Sequence, residues 1–401
     1  MNNNSHTNKN AIFCDHGPTQ WQTSQQGNLL NQRLAVKDLF AVKGEKNSAG
    51  NPDWFAKATT AQQSASSIDK LMAQGCEFVG FTHTDEIAYS LEGNNFHYGA
   101  AENPKVPNHA CGGSSMGSAA AVAANLADIG LGTDTGGSVR IPASYCGLYG
   151  IRPSHDVIAK DGLIPLAPPF DTIGWFTNTA ELLQQTGDVL LPEQAINSVD
   201  TLVIHEGLFD LIDPAQLPVM QRLLEQTTTQ FTHQKKFVLP NTNILTELAD
   251  AFRILQGRAI AKQHGKWINE EQPNFSPAIT ARFEMAIALT EAEEKEALAI
   301  QQTWQKVIAE NLDEKSCLFL PTTPTTAPKL GEDTSELRMR IITLSAIAGL
   351  SGSAQVHLPL ATSEQGHPYG FSLMMAHGND KSLLTKITKI SNEYNKGMVN
   401  E

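Results

Sequence analysis

Two serines are set where a hydroxyl could do chemistry. Ser114 and Ser138 each directly follow a Gly-Gly pair, in stretches almost free of charge. The first is Cys111-Gly112-Gly113-Ser114-Ser115-Met116-Gly117-Ser118, which runs into an alanine-rich tract. The second is Gly132-Thr133-Asp134-Thr135-Gly136-Gly137-Ser138-Val139-Arg140. Glycine has no Cβ, so it opens backbone angles closed to other residues and lets a substrate approach the main chain. A serine at such a bend can present its hydroxyl while neighbouring N–H groups point into the same space, which is what an oxyanion hole needs. Each half alone also has a structural reading. Ser114 or Ser115 could cap the helix that the alanines predict, and the second Gly-Gly-Ser could be a plain turn. A phosphate cradle is excluded, because no Gly-Lys-Ser/Thr follows.

A lysine upstream supplies a possible base. Leu34-Ala35-Val36-Lys37-Asp38-Leu39-Phe40-Ala41-Val42-Lys43-Gly44 is an apolar, strand-like run with Lys37 in its middle. Lysine is seldom fully buried unless paired, and burial disfavours its charged form. A neutral amine can act as a general base. The structural alternative is an edge-strand lysine that faces water and blunts aggregation.

Taken together these segments resemble the amidase signature family, whose mark is Gly-Gly-Ser-Ser, a small-residue helix, and Gly-Thr-Asp-x-Gly-Gly-Ser-x-Arg. The visible departure is Met116, where the family usually has glycine or serine. The resemblance implies an amide hydrolase working through Ser138 as nucleophile. Ser114, behind a cis peptide bond, would relay its proton to a neutral Lys37. It implies an oxyanion site made by the N–H groups of Thr135, Gly136, Gly137 and Ser138. It implies support from Ser115, hydrogen-bonded to the lysine, and from an Asp134–Arg140 pair that fixes the loop. The match selects Lys37 over Lys43, which lies beside Gly44. Further matches are Gly80-Phe81-Thr82-His83-Thr84-Asp85-Glu86, Asn103-Pro104 and Leu320-Pro321-Thr322-Thr323-Pro324. Tracts at Phe96-His97-Tyr98-Gly99, Val139–Gly147 and Phe252–Gly257 are similar to short indole-3-acetamide hydrolases. The rival within the family is the glutaminase subunit of a tRNA-dependent amidotransferase.

The elements that must position these residues read as α/β. Helices are expected over Thr59–Gln74, closed by Gly75, and over Gly117–Leu126. Strands are expected at Phe78–Phe81, Leu202–Ile204, Leu318–Pro321 and Gly370–Met375, and a closing helix from Lys381. From Ile244 to Ala309, Leu245, Leu248, Phe252 and Leu255 recur at helical spacing. The expectation is one domain over 1–401, with a polar segment at 1–25 and a mainly helical, variable insertion at about 190–315. The resemblance adds the fold: a central twisted mixed β-sheet covered by helices on both faces.

Composition narrows the class. The chain has 401 residues, of which 41% are hydrophobic and 18% charged, as in a globular enzyme. A net charge of −13 leaves no basic stripe for nucleic acid. No apolar stretch approaches the length of a membrane span, and Met1–His6 carries no signal-like apolar region. Five scattered cysteines and twelve dispersed histidines show no metal-ligand spacing. The expectations are no metal and no cofactor, free thiols, a cytoplasmic location, a small-molecule amide as partner, and a monomer or homodimer. Cys146, near Ser138 in sequence, reads as a packed apolar residue. The acidic balance and the lack of clustered arginines predict an uncharged substrate. Of the central apolar residues Phe252, Ile254, Leu255, Trp267, Ile268, Phe275, Phe283 and Met285, most should be core and a minority should line its pocket.

Overall fold

A computed structural model describes residues 12–19, 21–241 and 243–399. Residues 1–11 and 20 of the polar segment expected at 1–25 lie outside them. Eleven strands among the described residues form a single mixed sheet. They are β1 (Trp21–Gln22), β2 (Arg33–Lys37), β3 (Glu77–Thr82), β4 (Ile129–Asp134), β5 (Tyr149–Arg152), β6 (Thr172–Thr177), β7 (Thr201–Ile204), β8 (His233–Lys236), β9 (Ser316–Pro321), β10 (Ala354–Thr362) and β11 (Pro368–Met375). The spatial order is β1-β3-β2-β4-β6-β5-β10-β11-β9-β7-β8. Strands β3, β2 and β4 run parallel, as do β9, β7 and β8, while every pairing from β4 across to β9 is antiparallel.

The helices are α1 (Pro52–Lys57), α2 (Ser66–Ala73), α3 (Met116–Ala123), α4 (Arg140–Cys146), α5 (Ala180–Leu190), α6 (Leu217–Thr228), α7 (Ile244–Glu271), α8 (Pro277–Ala288), α9 (Glu291–Asn311), α10 (Ser335–Ser351) and α11 (Asp380–Val399). Adjacent side chains on a strand point to opposite faces, and β6 shows both faces covered. Phe176 packs with the alanines of α3, whereas Trp175 donates its indole N–H to the Leu183 carbonyl on α5 (3.0 Å). Helix α3 is buried along its whole length, which is why it contains almost nothing larger than alanine. Its close approach is matched by glycines in β4. A Cβ on Gly130 would lie 2.7 Å from the Ser118 carbonyl oxygen, and one on Gly132 would lie 2.8 Å from Ser115 Oγ.

Several expected elements shift. The helix expected over Thr59–Gln74 begins only at Ser66, because the residues before it spend their N–H groups elsewhere. Ala61 N–H bonds the Glu45 carbonyl and Ala65 N–H the Ala41 carbonyl. Lys37 ends its strand rather than sitting in the middle of one, and β2 is internal to the sheet, so the edge-lysine alternative falls. The 190–315 segment is not only helical. It adds β7 and β8 to the sheet before α7, α8 and α9 form a helical layer, which packs against α10.

The α3–β4 contact yields a prediction. Gly130→Ala forces backbone to move at a packed helix–sheet seam, where overpacking costs about 1–3 kcal/mol. Chemical denaturation should show a lower midpoint with an unchanged slope; an unchanged midpoint contradicts this packing.

Candidate active site

Because β2 and β4 are parallel neighbours, their carboxyl ends coincide. This brings Lys37, the last residue of β2, beside Thr133 and Asp134, which close β4. Ligand sites in open α/β sheets form at such strand ends. Lys37 is completely buried. Its Nζ lies 2.7 Å from Ser114 Oγ, 3.0 Å from Ser115 Oγ and 2.9 Å from Thr133 Oγ1. No carboxylate pairs with it among the described residues. Burial therefore pulls the amine down to about 7, with the more distant charges of Asp85, Asp134 and Asp171 opposing. Ser115 heads α3, but its hydroxyl does not cap the helix; it donates to the Thr133 carbonyl (3.2 Å) and accepts from Lys37.

The peptide bond Gly113–Ser114 is cis. The Ser114 carbonyl accepts from Thr84 Oγ1 (2.9 Å) and from the Asp85 N–H (3.3 Å). Asp85 itself is buried, receives the Gly93 N–H (3.1 Å), and is pushed up to about 6 by burial.

A buried carboxylate organises the loop that carries Ser138. Asp134 receives Arg140 through two bonds, Nε to Oδ2 (2.9 Å) and Nη2 to Oδ1 (2.8 Å). It also receives Arg152 Nη1 (3.1 Å) and the N–H groups of Gly137, Val139 and Arg140. Burial alone would raise this acid, but the charge of Arg140, its bonds and then Arg152 hold it far below the carboxylate range. Thr135 Oγ1 is anchored on Asp171 (2.7 Å). The two serine loops meet where the Ser115 N–H donates to the Ser138 carbonyl (3.3 Å).

One expected oxyanion donor is corrected. The Gly137 N–H already donates to Asp134 Oδ1 at 2.9 Å, so it is committed to the loop. The N–H groups of Thr135, Gly136 and Ser138 make no such bond among the described residues. The expected Asp134–Arg140 pair is present, but Arg152 makes it a three-residue cluster. Sequence reasoning missed Arg152, Asp171 and the parts played by Thr133 and Asp85, although the last two stand inside motifs already singled out.

Ser138 is 3% exposed and lines a small cavity with Tyr89, Gly136, Phe252, Gln256 and Arg338. Its hydroxyl makes no hydrogen bond among the described residues, so the Lys37–Ser114 contact is made while the Ser114–Ser138 contact is not. Of the eight central apolar residues from which a pocket-lining minority is expected, Phe252 lines this cavity. Arg338 comes from α10, and the charge of Arg282 on α8 acts on it. The Cys146 thiol points to the Cys111 carbonyl (3.6 Å) and is buried. The nearest approach to a metal-ligand set among the described residues is Cys14, His16 and Asp38, within 4.8 Å of one another. Asp38 there already accepts the Ser48 N–H (2.8 Å) and an Asn47 amide N–H (2.9 Å).

The family profile described as Amidase matches residues 15–206. Amidase 1 of Arabidopsis thaliana is 34% identical over 92% of this chain and 94% of its own. A glutamyl-tRNA(Gln) amidotransferase subunit of Neisseria meningitidis is 28% identical over 90% of this chain and 84% of its own. A crystal structure of an amidase superposes with a TM-score of 0.82 at 28% identity, over 92% of this chain and 86% of that one.

The Asp134 cluster can be tested directly. Breaking a buried ion pair by removing one partner typically costs about 3–5 kcal/mol. Asp134→Ala leaves two buried guanidinium groups without their carboxylate, so a loss of that size is expected in equilibrium denaturation. A loss below about 1 kcal/mol would show that the cluster does not hold the loop.

Proposed function

The chain belongs to the amidase family and is a hydrolase of amide C–N bonds, and we propose that it converts a small primary amide to a carboxylate and ammonia through an acyl-enzyme on Ser138. The observation that carries this reading is the Lys37 amine, held near neutrality among three hydroxyls with no carboxylate to keep it charged. Ser138 Oγ attacks the amide carbonyl carbon. Its proton passes to Ser114 Oγ, and the proton of Ser114 passes to Lys37 Nζ. The carbonyl oxygen takes up negative charge against the N–H groups of Thr135, Gly136 and Ser138; one such donor is typically worth about 3 kcal/mol. Collapse of the tetrahedral species breaks the C–N bond, and the proton returns from Lys37 through Ser114 to the departing nitrogen. Water then cleaves the ester on Ser138 by the same relay in reverse order.

Likeness to an amidotransferase subunit supports, more weakly, a second reading in which the ammonia is handed to a partner subunit. The native mass of the purified chain, measured with its glutaminase activity, separates the two. We take the protein to act alone as a monomer or homodimer in the cytoplasm; no helix of the described residues is long and apolar enough to cross a membrane.

Two outcomes are expected. Ser138→Ala abolishes amide hydrolysis without unfolding the chain, and a fluorophosphonate labels Ser138 in the parent protein; an adduct on Ser114 or Cys146 overturns the nucleophile. Lys37 must be neutral to accept a proton, so kcat/KM rises with pH through about 7 and falls tenfold per unit below it. Lys37→Ala flattens that acidic limb and slows turnover by roughly 10²–10⁴-fold. Parent-like rates for Lys37→Ala near neutral pH would remove the lysine from the reaction.

A further inference from the structure

Arg338 is a cation without a partner among the described residues. It lines the Ser138 cavity and also a second cavity, whose wall includes Tyr145, Glu92 and Lys329. Leu91 and Arg338 are common to both, so they form the boundary between the two spaces. Arg338 Nη1 is buried and bonded to nothing, and no ion pair or hydrogen bond of its guanidinium exists among the described residues. The obvious counter-ion is taken: Glu92, on the second cavity's wall, pairs instead with Arg282 Nη2 at 2.6 Å. A second polar atom in the same wall is also orphaned, since the Tyr145 hydroxyl is buried without a partner. Buried polar groups are nearly always satisfied, and leaving a buried donor without an acceptor is costly. Two such donors on the wall of the second cavity, one of them also lining the Ser138 cavity, are explained by an acceptor that arrives with the ligand.

We infer that Arg338 is a specificity-determining residue that holds a carboxylate on the substrate, with Tyr145 as the second donor. A guanidinium presents its N–H groups as a planar fork matched to a carboxylate, and charge-assisted bonds of this kind are roughly twice as strong as neutral ones. The inference rests on the proposed function in one respect. If the leaving group is ammonia it can carry no carboxylate, so the anionic group lies on the acyl side. The substrate class is then the mono-amide of a short dicarboxylic acid. Arg338 acts by binding and positioning and takes no part in proton transfer. This reverses the expectation of an uncharged substrate, which rested on net charge and on the spacing of arginines in sequence.

The test compares succinamate with 4-methylpentanamide, which has the same branched shape and no charge. Calorimetry on Ser138→Ala protein isolates binding from turnover. Succinamate should bind that protein at least tenfold more tightly than it binds the Ser138→Ala/Arg338→Gln double variant, with Arg338→Lys between them because it keeps the charge and loses the fork. In the parent enzyme, Arg338→Gln should lower kcat/KM for succinamate at least tenfold more than for 4-methylpentanamide, chiefly through KM. Equal succinamate binding with and without Arg338, or a parent enzyme that prefers 4-methylpentanamide, overturns the inference while leaving the amidase reading intact. Arg338-dependent binding with no hydrolysis of either compound supports the inference and contradicts the hydrolytic reading instead.

Discussion

A lysine amine with no exposure to solvent and no carboxylate within bonding distance is the constraint around which this molecule is arranged. Burial disfavours an ammonium, and three hydroxyls can serve a neutral amine as either donors or acceptors. Ser115 is committed to donate to the Thr133 carbonyl, so it must accept from the lysine. Ser114 has no such commitment through its hydroxyl, and its proton can point at the nitrogen lone pair. Placing those hydroxyls demands a helix pressed onto the sheet, and the small residues of α3 and the glycines of β4 allow it.

The loop that carries Ser138 is fixed by a second buried arrangement, built on opposite electrostatics. Asp134 sits in β4 one residue beyond Thr133, and its carboxylate gathers two guanidinium groups and three backbone N–H groups. The same strand end therefore supplies one hydroxyl to Lys37 and one carboxylate to the Ser138 loop. Thr133 and Asp134 point to opposite faces of β4, which keeps the neutral amine and the charged cluster on separate sides of a single strand. Each can then hold its own protonation state.

What the sequence made legible was local. Lys37, Ser114, Ser115, Asp134, Thr135, Gly136, Ser138 and Arg140 lie in two short motifs and one strand, where residue type and spacing carry the chemistry. Long periodic helices such as α7 and α9 were legible for the same reason. What stayed hidden depends on distance in the chain. Arg152 and Asp171 reach the nucleophile loop from β5 and from the turn before β6, and neither has a spacing that announces it. Arg282 on α8 and Arg338 on α10 act on each other electrostatically although more than fifty residues apart in sequence, so counting clustered arginines along the chain could not find them. The Gly137 N–H looked free because its acceptor, three residues earlier, is set by the loop's curl and not by its composition.

The protonation state of Lys37 can be observed without reference to any substrate. With lysines labelled with ¹³C and ¹⁵N, the Lys37 signal can be assigned by its loss in Lys37→Met and titrated by NMR in the otherwise intact protein. The account predicts a midpoint near pH 7. A midpoint near the ordinary lysine value of about 10.4 would mean that the amine is an ammonium at working pH, and the base in this site would have to be another group.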